Sequence, residues 1–97
     1  MTDEFNNRAG RRAARAEGAL DDAAFLKVAD AFIDVANRQN QKVQATELHM
    51  AFLFAAARYN AHVAKNVLEI EEHEPFVEGM LKAYAEMLRN HLADPSI

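Results

Sequence analysis

The sequence predicts a small all-α protein, and three observations lead to this prediction. Only three glycines and two prolines occur among its 97 residues, and alanine, the strongest helix former, is abundant. Three segments repeat apolar residues with the helical period of about 3.6. A chain of this length can bury one thin core. We therefore expect helices over about residues 22–39, 47–66 and 75–92 in a single helical domain (residues 21–97), preceded by a flexible arm (residues 1–20).

The first helix has one apolar face. Asp21 or Asp22 is expected to cap its N-terminus, because a short acidic side chain accepts backbone N–H groups there. Its apolar residues fill one half of the helical wheel, and its charged residues fill the other half. This pattern predicts that one face packs against another helix.

The second helix is apolar on two sides, and we expect Thr46 to cap it. One arc consists of Leu48, Phe52, Ala55, Ala56, Tyr59 and Val63. The roughly opposite arc consists of Met50, Leu53, Phe54, Ala57, Ala61 and Ala64. A helix with two apolar sides must pack against something on both of them.

The third helix again has one apolar face. Pro75 is expected at its first helical position, where the missing N–H group has no intrahelical partner to lose. The apolar arc consists of Phe76, Val77, Met80, Leu81, Tyr84, Met87, Leu88 and Leu92. Asp94 and Pro95 are expected to end this helix.

Two arrangements satisfy these patterns. In the first, the outer helices cover one arc of the central helix, and the other arc pairs two chains into a helical-bundle homodimer. The interface would then contain Met50, Leu53, Phe54, Ala57 and Ala61. In the second, the outer helices enclose the central helix from opposite sides. We favour the homodimer, because an uncovered arc would expose several hundred Å², more than monomers usually tolerate.

Three segments of the chain resemble a known family. They are Ala29–Gln39, Phe54–Ala61 and Met87–Leu92. They resemble a small bacterial family, domain of unknown function 3144, whose members carry an aspartate–phenylalanine–isoleucine–alanine–asparagine helix and then an alanine–arginine–aromatic–asparagine helix. The match covers roughly residues 25–92 and leaves out the arm.

This resemblance implies a shared fold and a set of shared polar positions. Asn37, Arg58 and Asn60 belong to the family pattern. Because the family has no established activity, cofactor or catalytic residue, the resemblance implies no site that could be carried over to this chain.

Arg58, Asn60 and His62 are candidate ligand-binding residues that could line a polar cleft on the central helix. A guanidinium group suits a carboxylate or phosphate ligand. The alternative, which we favour, is that Arg58 pairs with an acidic residue of another helix, since one arginine without a second donor seldom makes a site. The acidic candidates are Asp30, Asp34 and Glu86.

Metal binding and catalysis are not expected. The four histidines form neither a Glu-x-x-His nor a His-x-x-x-His pattern, and the chain has no cysteine. A glycine-rich phosphate loop and a nucleophile elbow are also missing, and the only serine, Ser96, lies near the C-terminus. We therefore expect no catalytic residue, no metal ligand and no cofactor.

The arm offers an alternative function in nucleic-acid binding. Its four arginines, Arg8, Arg11, Arg12 and Arg15, would form one stripe if the arm were helical. The formal net charge of −4 opposes this alternative, because nucleic acid repels an acidic protein.

The leading hypothesis is a non-catalytic interaction or structural protein that acts as a homodimer and engages an unidentified protein partner. No segment is long and apolar enough to span a membrane, and no leader pattern precedes the helices. We therefore expect a cytoplasmic protein without membrane contact.

Overall fold

A computed structural model describes residues 20–97, and this part of the chain is all-α. Its three helices are α1 (Asp22–Gln39), α2 (Ala45–Asn66) and α3 (His73–Leu92). They contain 77% of the described residues, which include no strand. None of the three is long and apolar enough to cross a lipid bilayer. The predicted three-helix unit is confirmed, whereas residues 1–19 of the predicted arm lie outside the described residues.

The chain divides between Arg58 and Tyr59 into two compact units. The first unit contains α1 and the N-terminal part of α2. The second unit contains the C-terminal part of α2, the connection that follows it, and α3.

Helix α1 begins at the cap that the sequence predicts. The Asp21 carboxylate accepts the backbone N–H of Ala24 at 2.8 Å, and Asp21 itself has an extended backbone. At the other end, the Asn40 N–H donates to the carbonyl oxygen of Ala36 at 2.9 Å. Asp21 is therefore confirmed as the N-cap, and both ends of α1 are where the sequence placed them.

Helix α2 begins two residues earlier than predicted, at Ala45. The carbonyl oxygen of Gln44 accepts the N–H groups of Glu47 at 3.0 Å and Leu48 at 2.8 Å. Thr46 therefore lies within the first turn, and its prediction as N-cap is wrong. The helix can start before the threonine because Gln44 already supplies the first helical acceptor.

Helix α3 also begins two residues earlier, at His73, so that Pro75 is its third residue rather than its first. Proline is tolerated there because the first four N–H groups of a helix have no intrahelical acceptor. The preceding residue, Glu72, has the extended backbone of a cap but makes no side-chain cap hydrogen bond.

The connection between α2 and α3 folds back over the end of α2. The Leu68 N–H donates to the Val63 carbonyl at 2.9 Å, and the Ile70 N–H donates to the Ala64 carbonyl at 3.0 Å. Leu68, Ile70 and Val63 are half-buried, and Ala64 is only 2% exposed. This end of α2 is therefore the best-packed part of the second unit.

Glu69 adopts a backbone conformation that suits glycine better. Its φ angle is +51°, and it is the only described residue other than glycine with a positive φ. The left-handed region costs a residue with a Cβ atom roughly 1–2 kcal/mol. We expect Glu69→Gly to raise the free energy of unfolding by about 1 kcal/mol in urea denaturation.

Glu71→Gly is the matched control for this prediction, because Glu71 is an exposed residue of the same connection without a positive φ. Glycine there should be neutral or destabilising by up to about 1 kcal/mol, since it only adds freedom to the unfolded chain. Equal changes in the free energy of unfolding for the two substitutions would contradict backbone strain at Glu69.

Candidate interaction surfaces

The large apolar side chains of the described residues lie at the surface of a single chain. Ala64 is the only buried hydrophobic residue among residues 20–97. Burial of apolar surface is the dominant favourable term in folding and association. Three apolar faces, one on each helix, therefore remain available for contact with other molecules.

The first surface, called the α2 face, consists of Met50, Leu53, Phe54, Ala57 and Ala61. Met50, Leu53 and Phe54 are 53%, 43% and 70% exposed. At about 200 Å² for a large side chain, these three residues alone present about 300 Å². Ala64 belongs to the same predicted arc but is buried in the second unit, so the face ends near Ala61.

The opposite arc of α2 is better covered within the first unit. Leu48 is half-buried, and Phe52 is 37% exposed. Tyr59, by contrast, is 67% exposed. The two arcs therefore differ in how far the single chain covers them.

The second surface, called the α1 face, consists of Phe25, Leu26, Val28, Phe32, Ile33 and Val35. These residues are between 44% and 61% exposed. Two alanines on the same side, Ala29 and Ala36, are half-buried. The larger apolar side chains are thus the exposed part of this helix face.

The third surface, called the α3 face, consists of Val77, Met80, Leu81, Tyr84, Met87, Leu88 and Leu92. These residues are between 36% and 77% exposed, whereas Phe76 is half-buried. The sequence predicts the same apolar arc, but as a face that packs within the chain. Periodicity shows which side of a helix is apolar, and it carries no information on which molecule covers that side.

The three candidate ligand-binding residues do not share one side of α2. Arg58 and His62 are exposed and lie one turn apart, whereas Asn60 is half-buried. At 100° per residue, Asn60 lies about 160° around the helix from His62 and about 160° from Arg58. The helix therefore brings Arg58 and His62 together and directs Asn60 elsewhere.

His62 takes part in a local contact within α2. The side-chain amide nitrogen of Asn66 lies 3.1 Å from His62 Nδ1, and it donates to the His62 carbonyl oxygen at 3.1 Å. The ring of Tyr59 lies 6.1 Å from the ring of His62, at an angle of 34°. These contacts hold His62 along the surface of its own helix.

The titratable groups of residues 20–97 do not assemble a metal centre. No group of three or more histidine, aspartate or glutamate side chains in this part of the chain could hold a metal ion. An open surface depression is lined by Glu71, Glu72, His73, Glu74 and Pro75. All five of these residues are exposed.

Ser96 lies in a turn at the C-terminus. Its backbone N–H and its hydroxyl group donate to one carboxylate oxygen of Asp94, at 2.9 Å and 2.8 Å. These two hydrogen bonds hold the pKa of Asp94 below its ordinary value, because they stabilise the ionised carboxylate. The hydroxyl group is thus a donor in an exposed turn.

The arginines of the alternative nucleic-acid function lie outside the described residues. They are Arg8, Arg11, Arg12 and Arg15.

The fold and its exposed faces define a small all-α protein with amphipathic helices. Residues 25–95 match the model of a family described as Protein of unknown function (DUF3144). The chain therefore belongs to this family, which confirms the resemblance inferred from the sequence. No curated protein and no solved structure matches the chain. The family description names no activity.

Proposed function

We propose that this protein is a non-catalytic interaction protein that acts as a homodimer and uses the α2 face as its interface. The observation that carries this proposal is the exposure of Met50, Leu53 and Phe54, at 53%, 43% and 70%. An enclosed monomer core would bury such residues. A second copy of the chain offers the same apolar face, and a two-fold contact would cover both copies at once.

The exposed apolar area of the first unit would be large enough for a stable dimer. The α2 face alone offers about 300 Å² per chain, less than the roughly 800 Å² per partner of a standard interface. The α1 face in the same unit adds about 600 Å², since its six side chains are about half exposed. A contact that includes both faces therefore reaches the size that stable dimers have.

The free energy of apolar burial also indicates that a stable dimer would need both the α2 face and the α1 face. Burying the α2 face on both chains contributes at most about 15 kcal/mol, at about 25 cal/mol per Å². Association costs roughly 4–15 kcal/mol in lost freedom of the two chains. Burial of the α2 face alone would therefore barely offset the cost of association. Burial of the α1 face would supply the remaining favourable free energy.

Small residues would bring the two α2 helices close together. Ala57 and Ala61 are one turn apart on the α2 face, and both are exposed. Alanines at a helix crossing allow an interaxial distance near the lower end of the usual 8–10 Å range. Phe54 would then contact the second chain beside this crossing.

We expect Phe54→Glu to halve the mass of the assembly. The substitution places a charge in the centre of the α2 face, where it would lose its hydration on association. Light scattering at micromolar concentration should report an even multiple of the 10.9 kDa chain mass for the unmodified protein. Helical circular dichroism would show whether the variant keeps its fold.

Tyr59→Glu is the matched control for this substitution. Tyr59 is 67% exposed, close to the 70% of Phe54, and it lies on the opposite arc of the same helix. We expect the Tyr59 variant to keep the mass of the unmodified protein. A monomeric unmodified protein, or equal loss of mass in both variants, would contradict the proposed interface.

A further inference from the structure

We infer that α3 is a second self-association element, which pairs in antiparallel orientation with α3 of another copy of this chain. The α3 face has seven exposed apolar residues, and they lie in the second unit, whereas most of the α2 face lies in the first. This contact is therefore additional to the proposed α2 interface. Three properties of α3 identify its partner as a second copy: its repeat, its charge distribution and its exposed area.

The apolar residues of α3 repeat every seven positions. Val77 and Tyr84 are one such pair, and Leu81 and Leu88 are a second, with the polar residues His91 and Glu74 at the ends of the two series. The two series are offset by three and four residues. This is the spacing of knobs-into-holes packing, in which the side chains of one helix fit between those of another. A second α3 has the same spacing, so its side chains can fill the gaps of the first.

The first turn of α3 is acidic and its last turn is basic, with Lys82 and Glu86 between them. Glu74 and Glu78 lie in its N-terminal half, and Arg89 and His91 lie in its last turn. An antiparallel pair places the acidic first turn of each helix beside the basic last turn of the other. It also sets the two helix dipoles in opposite directions, which is favourable for neighbouring helices.

Full overlap of two antiparallel copies gives one register. The middle of α3 falls between Lys82 and Ala83, since the helix runs from His73 to Leu92. In this register Leu81 lies opposite Tyr84 of the second copy, and Val77 lies opposite Leu88. Glu74 lies opposite His91 in the same register, so apolar residues face apolar residues and polar residues face polar ones.

The exposed area of the α3 face meets the requirement of a stable contact. Its seven residues are about half exposed on average, so at about 200 Å² per large side chain the face offers about 700 Å². Two copies would bury about 1,400 Å², which lies within the range of roughly 1,200–2,000 Å² for specific interfaces. This is more than the α2 face alone provides.

Two different two-fold contacts on one chain would join dimers into larger assemblies. If the axes of the α2 and α3 contacts intersect at right angles, the assembly closes as a tetramer. The α3 pairing does not depend on the α2 contact, because it uses other residues of the chain.

Cysteine cross-linking tests the pairing directly, since the chain contains no cysteine of its own. Val77 and Leu88 are 41% and 42% exposed, so either position can accept cysteine without loss of a packed core. We expect the double variant V77C/L88C to form a covalent dimer on mild oxidation. The two cysteines of one chain cannot join each other, because eleven residues of helix separate them by about 16 Å.

The single variants V77C and L88C distinguish the orientations. In an antiparallel pair, each cysteine lies about 16 Å along the axis from its own equivalent, beyond the roughly 7 Å limit of a disulfide, so neither single variant should link. Linking of the single variants would indicate a parallel pair and overturn the inference. Failure of the double variant to link would also overturn it.

A second variant keeps the test independent of disulfide chemistry and of the α2 proposal. In a Phe54→Glu background, Leu81→Glu should reduce the mass to that of one chain, 10.9 kDa. An unchanged mass would overturn the α3 pairing. If Phe54→Glu by itself has no effect while V77C/L88C links, the α3 pairing stands and the proposed α2 interface fails.

Discussion

Hundredfold dilution is expected to lower the midpoint of thermal unfolding by about 5–10 °C. The described part of a single chain buries only Ala64 among its hydrophobic residues, so on the proposed assembly the contacts between chains would supply most of its stability. Dilution by this factor removes about 2.7 kcal/mol from the stability of a dimer. A pair of 97-residue chains loses roughly 2–4 °C for each kcal/mol.

Circular dichroism at 222 nm, the usual helix signal, would measure this shift at two concentrations a hundredfold apart. The control is the double variant Phe54→Glu/Leu81→Glu, in which both proposed contacts are disrupted. Its helical signal should be weak at either concentration, because most helical stability in proteins comes from packing of an amphipathic face, which both substitutions disrupt. A midpoint independent of concentration in the unmodified protein would show that each chain is stable without a partner.

Ala64→Leu is expected to destabilise the protein by about 1–3 kcal/mol, the usual cost of an added side chain in a packed site. Ala64 is 2% exposed, and its carbonyl oxygen accepts the N–H of Ile70 at 3.0 Å, so the returning chain lies against this turn of α2. A leucine side chain would have to displace the atoms that cover Ala64. Because the site lies within the second unit, the loss should appear at every protein concentration.

Ala51→Leu is the matched control, since Ala51 is an exposed residue of the same helix. The two substitutions change helix propensity equally, so a difference between them reports packing alone. Urea denaturation at one fixed concentration should leave the Ala51 variant within about 0.5 kcal/mol of the unmodified protein. Equal midpoints for the two variants would contradict a packed site at Ala64.

The helices were predictable because their signals are local. The bounds of α1 agree with the sequence at both ends, since the Asp21 cap and the apolar period act within a few residues. The starts of α2 and α3 were placed two residues late. There the sequence offered a threonine and a proline as markers, while the backbone of Gln44 and Glu72 allowed an earlier start.

The positive φ of Glu69 had no signal in the sequence, because glycine and asparagine are the residues that usually mark this conformation. Hydrogen bonds from Leu68 and Ile70 to the end of α2 hold the chain in place there. Those bonds join residues five and six positions apart, a spacing that helical periodicity does not describe.

The sequence by itself determined the three helices, their apolar arcs and the membership in the family. Tertiary structure decided which members of those arcs are buried. Ala61 and Ala64 belong to one predicted arc, yet Ala61 is exposed and Ala64 is buried, because the connection after α2 returns over only the last turn of the helix. The physical reason is that periodicity depends on one helix alone, whereas burial depends on what other segments of chain lie against it.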